Sequence, residues 1–132
     1  MSKNYFILTK DKSLCEKYEL TYELTDEPDW GYWIHICQTT SFLTPLWQAH
    51  IGVDNIDKMK ELINEPNCAL YDEYLRIINK EEFIQEVIIG SKNNKDLTTR
   101  KEYTSQYCTG ISINTGYFVD KDGYEFYTVD FR

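Results

Sequence analysis

Two histidines and a cysteine are the residues of this chain whose types could support catalysis or metal binding. All three lie in the segment 34–50, as His35, Cys37 and His50. Alternate residues of a β-strand point to the same side, so a strand through 32–38 would put His35 and Cys37 on one face, as a nucleophile pair or part of a metal site would need. However, no fourth metal ligand suggests itself, and cysteine is among the residues most often buried. The sequence therefore favours a buried strand at this segment over a catalytic or metal site.

Two adjacent carboxylates form a second candidate for chemistry. Asp72 and Glu73 would point to different sides of a strand, which is poor geometry for a paired general acid and base. If they lie in a turn, we expect them to bond backbone amides or Arg76. The sequence contains no glycine-rich phosphate loop, nucleophile elbow or zinc-binding histidine motif. We therefore predict that the chain is not an enzyme and needs no cofactor or metal; the alternative is a hydrolase or metalloenzyme built on Cys37, His35 and His50.

Aromatic and hydroxyl-bearing side chains around the segment 34–50 point to binding. Aromatic walls beside a few polar groups could stack a planar ligand and hydrogen-bond its edge. The alternative is that the tryptophans belong to the core, since strands use aromatic residues freely. The predicted binding residues are Trp33, His35, Gln38, Thr39, Thr40, Ser41, Trp47, Asp72, Glu73, Arg76, Arg100 and Lys101.

Strands are predicted from alternating, β-branched and aromatic runs. They lie at 5–9, at 21–24, at 32–38, at 40–50 and in part of 68–78. The segments before and after 39–41 could pair as a hairpin, and Pro45 marks an edge, a bulge or a bend. The stretch 116–132 is predicted to form a second hairpin, with Gly123 at positive φ in its turn.

Two helices are predicted from apolar residues at helical spacing. The first occupies 55–64, is capped by Asp54 or Asn55 and ends before Pro66. The second occupies 79–90, with Asn79 as its cap, Glu82 at the reciprocal capping position and Gly90 as its stop. Together these elements predict one α+β domain spanning 1–132, with a mainly antiparallel sheet of about five to seven strands and both helices on one face.

The segment 91–106 has little apolar content and carries the basic cluster of the chain, which includes Arg100 and Lys101. A mobile loop is predicted here. It is either a solvated linker or a flap that grasps an anion.

The formal net charge is −8 and the isoelectric point is near 4.7. Such a field repels nucleic-acid backbone, so the chain is not expected to bind DNA or RNA directly. The acidic surface either keeps the protein soluble or acts as a decoy that binds a basic groove, such as the DNA channel of a nuclease. No apolar stretch is long enough for a signal peptide or a membrane span, and the four cysteines are scattered, so we expect a cytoplasmic protein with reduced thiols.

The segment IHICQTTSFLTPLW and the later segment LYDEYLRIINKEEFIQEVI resemble a loosely defined set of small, uncharacterised phage and prophage proteins. Those proteins carry an LHIGKSSxGW-like segment, a helix and a DEYGxxISxEEF-like segment. In the first segment His35 matches, Thr39 and Thr40 keep the hydroxyls of two serines, and Cys37 and Gln38 replace a glycine and a lysine. A phosphate contact made by that lysine would therefore be absent here.

The second segment of the resemblance matches at Asp72, Glu73 and Tyr74 and again at Glu81–Phe83, while Leu75 replaces a glycine. The resemblance, which covers residues 33–88, implies a phage or mobile-element setting in the host cytoplasm. Small acidic phage proteins without enzyme motifs often act by binding. The predicted function is inhibition of a host defence system by binding an immune protein, such as a CRISPR-type nuclease. The alternative is a sponge that sequesters a small nucleotide immune signal.

Overall fold

The structure, a computed structural model, describes residues 2–40, 45–90 and 117–128. Its strands are β1 (Ser2–Thr9), β2 (Glu23–Thr25), β3 (Gly31–Thr40), β4 (Leu46–Gln48), β5 (Cys68–Asp72), β6 (Tyr117–Val119) and β7 (Glu125–Tyr127). Its helices are α1 (Lys12–Lys17), α2 (Ile56–Ile63) and α3 (Lys80–Phe83), and α3 continues as a π-helix over Ile84–Ile89. Ser41, Arg100, Lys101 and the predicted loop 91–106 lie outside the described residues.

All seven described strands belong to one mixed sheet. Its order is β5–β1–β3–β4–β7–β6, and β2 pairs with the first part of β3. Every pair is antiparallel except β4 with β7. The predicted fold class, an α+β arrangement with a mainly antiparallel sheet of five to seven strands, is confirmed.

The hydrophobic core lies between one face of the sheet and the helices. Ile7, Ile34 and Leu70 point from the strands into the same buried cluster as Met59 of α2 and Phe83 of α3. All five side chains are almost completely buried. Both predicted helices therefore pack on one face of the sheet, and α1 adds Leu14 and Cys15 to the same cluster.

The helix boundaries follow the predicted caps. Asn55 accepts a hydrogen bond from the Lys58 amide (2.9 Å), and Asn79 accepts one from the Glu82 amide (2.9 Å). Each cap satisfies a backbone amide that has no partner within the helix. Gly90, predicted as the stop, keeps a helical φ of −60°. The short helix α1 was not predicted.

A β-bulge corrects the predicted facing of His35 and Cys37. On β1, Tyr5 lies opposite Cys37 and Phe6 lies opposite His35, which leaves Ile36 as an extra residue on β3. Tyr5 and Phe6 are consecutive residues of a strand, so their side chains face opposite sides of the sheet. Their partners Cys37 and His35 therefore also face opposite sides. The prediction that His35 and Cys37 share a face is therefore wrong, because the bulge shifts the alternation between them.

The C-terminal hairpin is confirmed for its described part. β6 and β7 pair antiparallel, and Gly123 in the connecting turn has a φ of 89°. The Asp120 carboxylate accepts hydrogen bonds from the backbone amides of Ile56, Asp122 and Tyr124, at 2.7 to 2.9 Å. Asp120 therefore fastens the hairpin to the first turn of α2.

Candidate binding surfaces

The turn after β5 is organised by the buried carboxylate of Asp72. One oxygen accepts the amides of Tyr74 (2.9 Å) and Arg76 (3.0 Å), and the other lies 2.8 Å from Arg76 Nε and 3.3 Å from Lys3 Nζ. Burial works to raise the pKa of Asp72, but the hydrogen bonds from Arg76, Tyr74 and Lys3 outweigh it, and the pKa lies below its usual value. The prediction that this carboxylate bonds backbone amides and Arg76 is confirmed, and its role in the turn is structural.

Two residues of β1 link this turn to the end of β3. Lys3 lies opposite Thr39 and Asn4 opposite Gln38, while the Asn4 amide donates to Glu73 Oε1 (2.6 Å). The predicted binding residues around 38–39 and around 72–76 therefore meet at one end of the sheet, although more than thirty residues separate them in the chain.

Another predicted binding residue, Thr40, ends β3 at the same end of the sheet and lies opposite Ser2. Trp47, in contrast, is completely buried and contacts Phe83 on the helical side of the sheet (ring centroids 6.1 Å apart). Trp47 is thus a core residue, and a ligand outside the core would not touch it.

The opposite face of the sheet carries an aromatic group and a small cavity. Trp33 stacks on Phe6 (4.8 Å, 17°), and Trp33 and His35 line a cavity of about 160 Å³ together with Gln48 and His50. Ligand pockets for drug-sized molecules usually enclose about 300 to 1,000 Å³. Of the predicted binding residues, Trp33 and His35 therefore share a pocket, but one that is small for a nucleotide.

His50 lines this cavity, and its buried ring connects two backbone segments by hydrogen bonds. Its Nδ1 accepts the Thr21 backbone amide (3.0 Å), and its Nε2 lies 2.9 Å from the carbonyl oxygen of His35. An amide can only donate and a carbonyl only accept, so these contacts fix the neutral ring with its proton on Nε2. Burial lowers the pKa of His50, which favours the same neutral form. Across the described ranges, no three His, Cys, Asp or Glu side chains are placed to hold a metal ion.

A further surface with exposed aromatic side chains was not assigned by the sequence analysis. The side chains of Tyr22, Leu24, Trp30 and Tyr32 form it, and we call it the aromatic patch. Leu24 is 67% exposed and Trp30 is 51% exposed. Tyr32 contacts Tyr22 (4.8 Å) and Trp30 (5.9 Å) edge-on and lies opposite Leu24 across the strand pair. The four side chains therefore form one continuous surface.

The position of Gly31 explains how the aromatic patch is built. A Cβ atom at Gly31 would lie 2.8 Å from Leu8 Cδ1 and 2.9 Å from the Thr9 carbonyl oxygen. Only glycine lets the start of β3 approach β1 this closely. Trp30 and Tyr32 flank this glycine, which places them beside the short strand β2.

Negative charge surrounds the aromatic patch. No lysine or arginine occurs in the 40 residues from Tyr18 to Asp57, a stretch that carries seven carboxylates. Of these, Glu23, Asp26, Glu27 and Asp29 are exposed and lie between Tyr22 and Trp30 in the sequence. Lys10 pairs with Asp29 at 2.6 Å, and this hydrogen bond is the main cause of the lowered pKa of Asp29. Aromatic residues flanking an acidic turn, within a long stretch of sequence that has no lysine or arginine, were the signal that could have identified the patch.

A shallow groove of about 710 Å³ adjoins the aromatic patch at the Lys10–Asp29 ion pair. Its lining also includes Asp11, Asn67 and Tyr71. The four side chains of the aromatic patch do not line this groove.

No family model, curated protein or solved structure matches this chain. Among the described residues, no helix is long and apolar enough to cross a membrane.

Proposed function

We propose that this chain is a non-enzymatic phage or mobile-element protein that inhibits a host defence protein, such as a CRISPR-type nuclease, by docking through the aromatic patch. The observation that carries the proposal is the exposure of Leu24 on β2 and of Trp30 directly before β3, the strand that pairs with β2, beside exposed carboxylates. Tryptophan and tyrosine are enriched among the residues that dominate binding energy at protein interfaces. An exposed apolar patch with a polar rim is typical of an interaction site.

The residues with catalytic potential have structural roles, which favours binding over hydrolysis. Cys37 is completely buried, and burial raises the pKa of its thiol well above the usual value, so the reactive thiolate is disfavoured. The bulge turns Cys37 away from His35. His50 is engaged at both ring nitrogens by backbone groups.

The nucleotide sponge has less support in the described part of the chain. The cavity beside Trp33 and His35 is smaller than a nucleotide requires. Arg76, one of the cations expected to hold a phosphate, pairs with Asp72. Arg100 and Lys101, the other two, lie outside the described residues.

The proposal is tested by binding to a panel of purified CRISPR-type nuclease complexes, measured by calorimetry and by inhibition of DNA cleavage. Trp30→Ala should weaken binding at least about tenfold, the effect of losing 1.4 kcal/mol at an interface anchor. Ile77→Ala is the matched control, because Ile77 is 71% exposed and lies beside β5, at the opposite edge of the sheet from β2. No binding to any complex, or equal losses in both variants, would contradict the proposal.

A further inference from the structure

We infer that the aromatic patch and its carboxylates recognise the positively charged groove of a nucleic-acid-binding protein and compete with nucleic acid for it. This inference rests on the proposed function and specifies the chemistry of the partner. Carboxylates would take the place of phosphates, and the exposed rings would contact arginine and lysine side chains of the groove.

The charge distribution supports a basic partner. Asp26, Glu27 and Asp29 follow β2 within four residues, all exposed. Asp26 and Glu27 can each accept two parallel hydrogen bonds from one guanidinium group, as a phosphate does, whereas Asp29 already accepts from Lys10 and from the Trp30 amide. No lysine or arginine lies in the 40 residues from Tyr18 to Asp57, and Lys10 pairs with Asp29, so the fields of Asp26 and Glu27 dominate at this turn and attract a cationic groove over a distance of about 10 Å at moderate salt.

The aromatic side chains supply the second element of the recognition. Trp30 is half exposed and Tyr22 is 38% exposed, on either side of the acidic turn. Arginine and lysine bind over the faces of such rings, tryptophan best of all. A surface that alternates carboxylates with exposed rings therefore offers a cation both of its preferred contacts.

Lys10 provides an internal test of the electrostatic argument. It lines the groove and pairs with Asp29, the residue before Trp30, with both side chains about 60% exposed. Such an exposed pair contributes little to folding. Removing the positive charge by Lys10→Gln should therefore leave the fold intact and strengthen the attraction for a cationic partner.

The first measurement uses the full chain and a fluorescent arginine-rich peptide as the probe, followed by anisotropy at several salt concentrations. Asp26→Asn with Glu27→Gln should weaken binding about fivefold to tenfold, since it removes two charged hydrogen-bond acceptors. The matched control, Glu81→Gln with Glu86→Gln, changes the net charge equally on another element and should weaken binding less than about twofold. Trp30→Leu should cost about twofold to fivefold, the size of an exposed cation–π contact.

Lys10→Gln should tighten binding of the same peptide about twofold to threefold, as expected for the loss of one repulsive surface charge. Equal losses in the two double variants would show that net charge alone acts and would overturn the inference. Tighter binding of an anionic vesicle or of DNA than of the peptide would also overturn it.

The second measurement uses a nuclease complex that binds the chain and asks whether a labelled DNA duplex is displaced. Displacement, with an inhibitor affinity that falls steeply as salt increases, supports the inference. If Trp30→Ala abolishes inhibition while DNA stays bound, the proposed function stands and the inference fails. If no nuclease is bound while the peptide results hold, cation recognition stands and the proposed function fails.

Discussion

Acid should destabilise this protein through His50, and the size of the effect can be bounded. The buried ring accepts the Thr21 amide at Nδ1 and donates to the His35 carbonyl at Nε2. Protonation would turn Nδ1 into a donor facing a donor, so the folded state resists it. Burial accordingly lowers the pKa of His50 below its ordinary value of 6.5.

The sign of the pH effect follows from this lowered pKa. The unfolded chain takes up a proton at His50 as the pH falls through 6.5, whereas the folded chain does not until a lower pH. The stabilisation is therefore complete above 6.5 and is lost as the pH falls towards the pKa of the folded state. One group changes the free energy of unfolding by at most about 1.4 kcal/mol per pH unit. Because the unfolded chain takes up this proton mainly below pH 6.5, only about one of the two units between pH 7.5 and 5.5 contributes. The loss of stability over that range is therefore at most about 1.4 kcal/mol.

Urea unfolding at both pH values measures this loss, and His50→Gln is the control. A glutamine can accept the Thr21 amide and donate to the His35 carbonyl but does not titrate. The carboxylates with lowered pKa, such as Asp72, lose protons near pH 4 in the unfolded chain, outside this window. The difference between the protein and His50→Gln should therefore shrink on acidification. The same pH dependence in both proteins would refute the argument.

Two backbone predictions follow from the same structure. Leu75 has a left-handed φ of 63°, a conformation that costs a residue with a Cβ about 1 to 2 kcal/mol. In urea unfolding, Leu75→Gly should therefore be about 1 kcal/mol more stable than Leu75→Ala. Equal stability of the two variants would show that the turn is unstrained. A Cβ on Gly52 would overlap the backbone carbonyl of Tyr18. Gly52→Ala should therefore lower the free energy of unfolding by about 2 to 3 kcal/mol in the same assay. A loss below about 1 kcal/mol would mean that the backbone around this contact moves apart at little cost.

The elements that could be predicted from the sequence are those defined by local chemistry. The caps at Asn55 and Asn79 and the positive φ of Gly123 depend on a few neighbouring residues, and each is found as expected. The Asp72 turn belongs to the same class, because a carboxylate bonds amides two and four residues further along the chain. Leu75 takes the left-handed conformation within this same turn.

The features that could not be predicted depend on distant partners. The bulge at Ile36 arises from the register between β1 and β3, so alternation within one segment could not reveal it. The six residues of α1 are too few to form a stable helix alone, and the burial of Leu14 and Cys15 in the core stabilises them. The position of Trp47 has the same cause, since its facing depends on pairing with β3.

The aromatic patch shows why composition alone could not separate a solubilising acidic surface from an interaction surface. A net charge of −8 is compatible with both. Solubility requires charges spread over the surface, without large exposed aromatic side chains between them. Around β2 the charges are unevenly spread, because no lysine or arginine occurs in the 40 residues from Tyr18 to Asp57, although Lys10 pairs with Asp29, and a half-exposed tryptophan borders the carboxylates. Leaving Trp30 in water forgoes the stabilisation that its burial would give, and a partner that covers it would recover that stabilisation on binding.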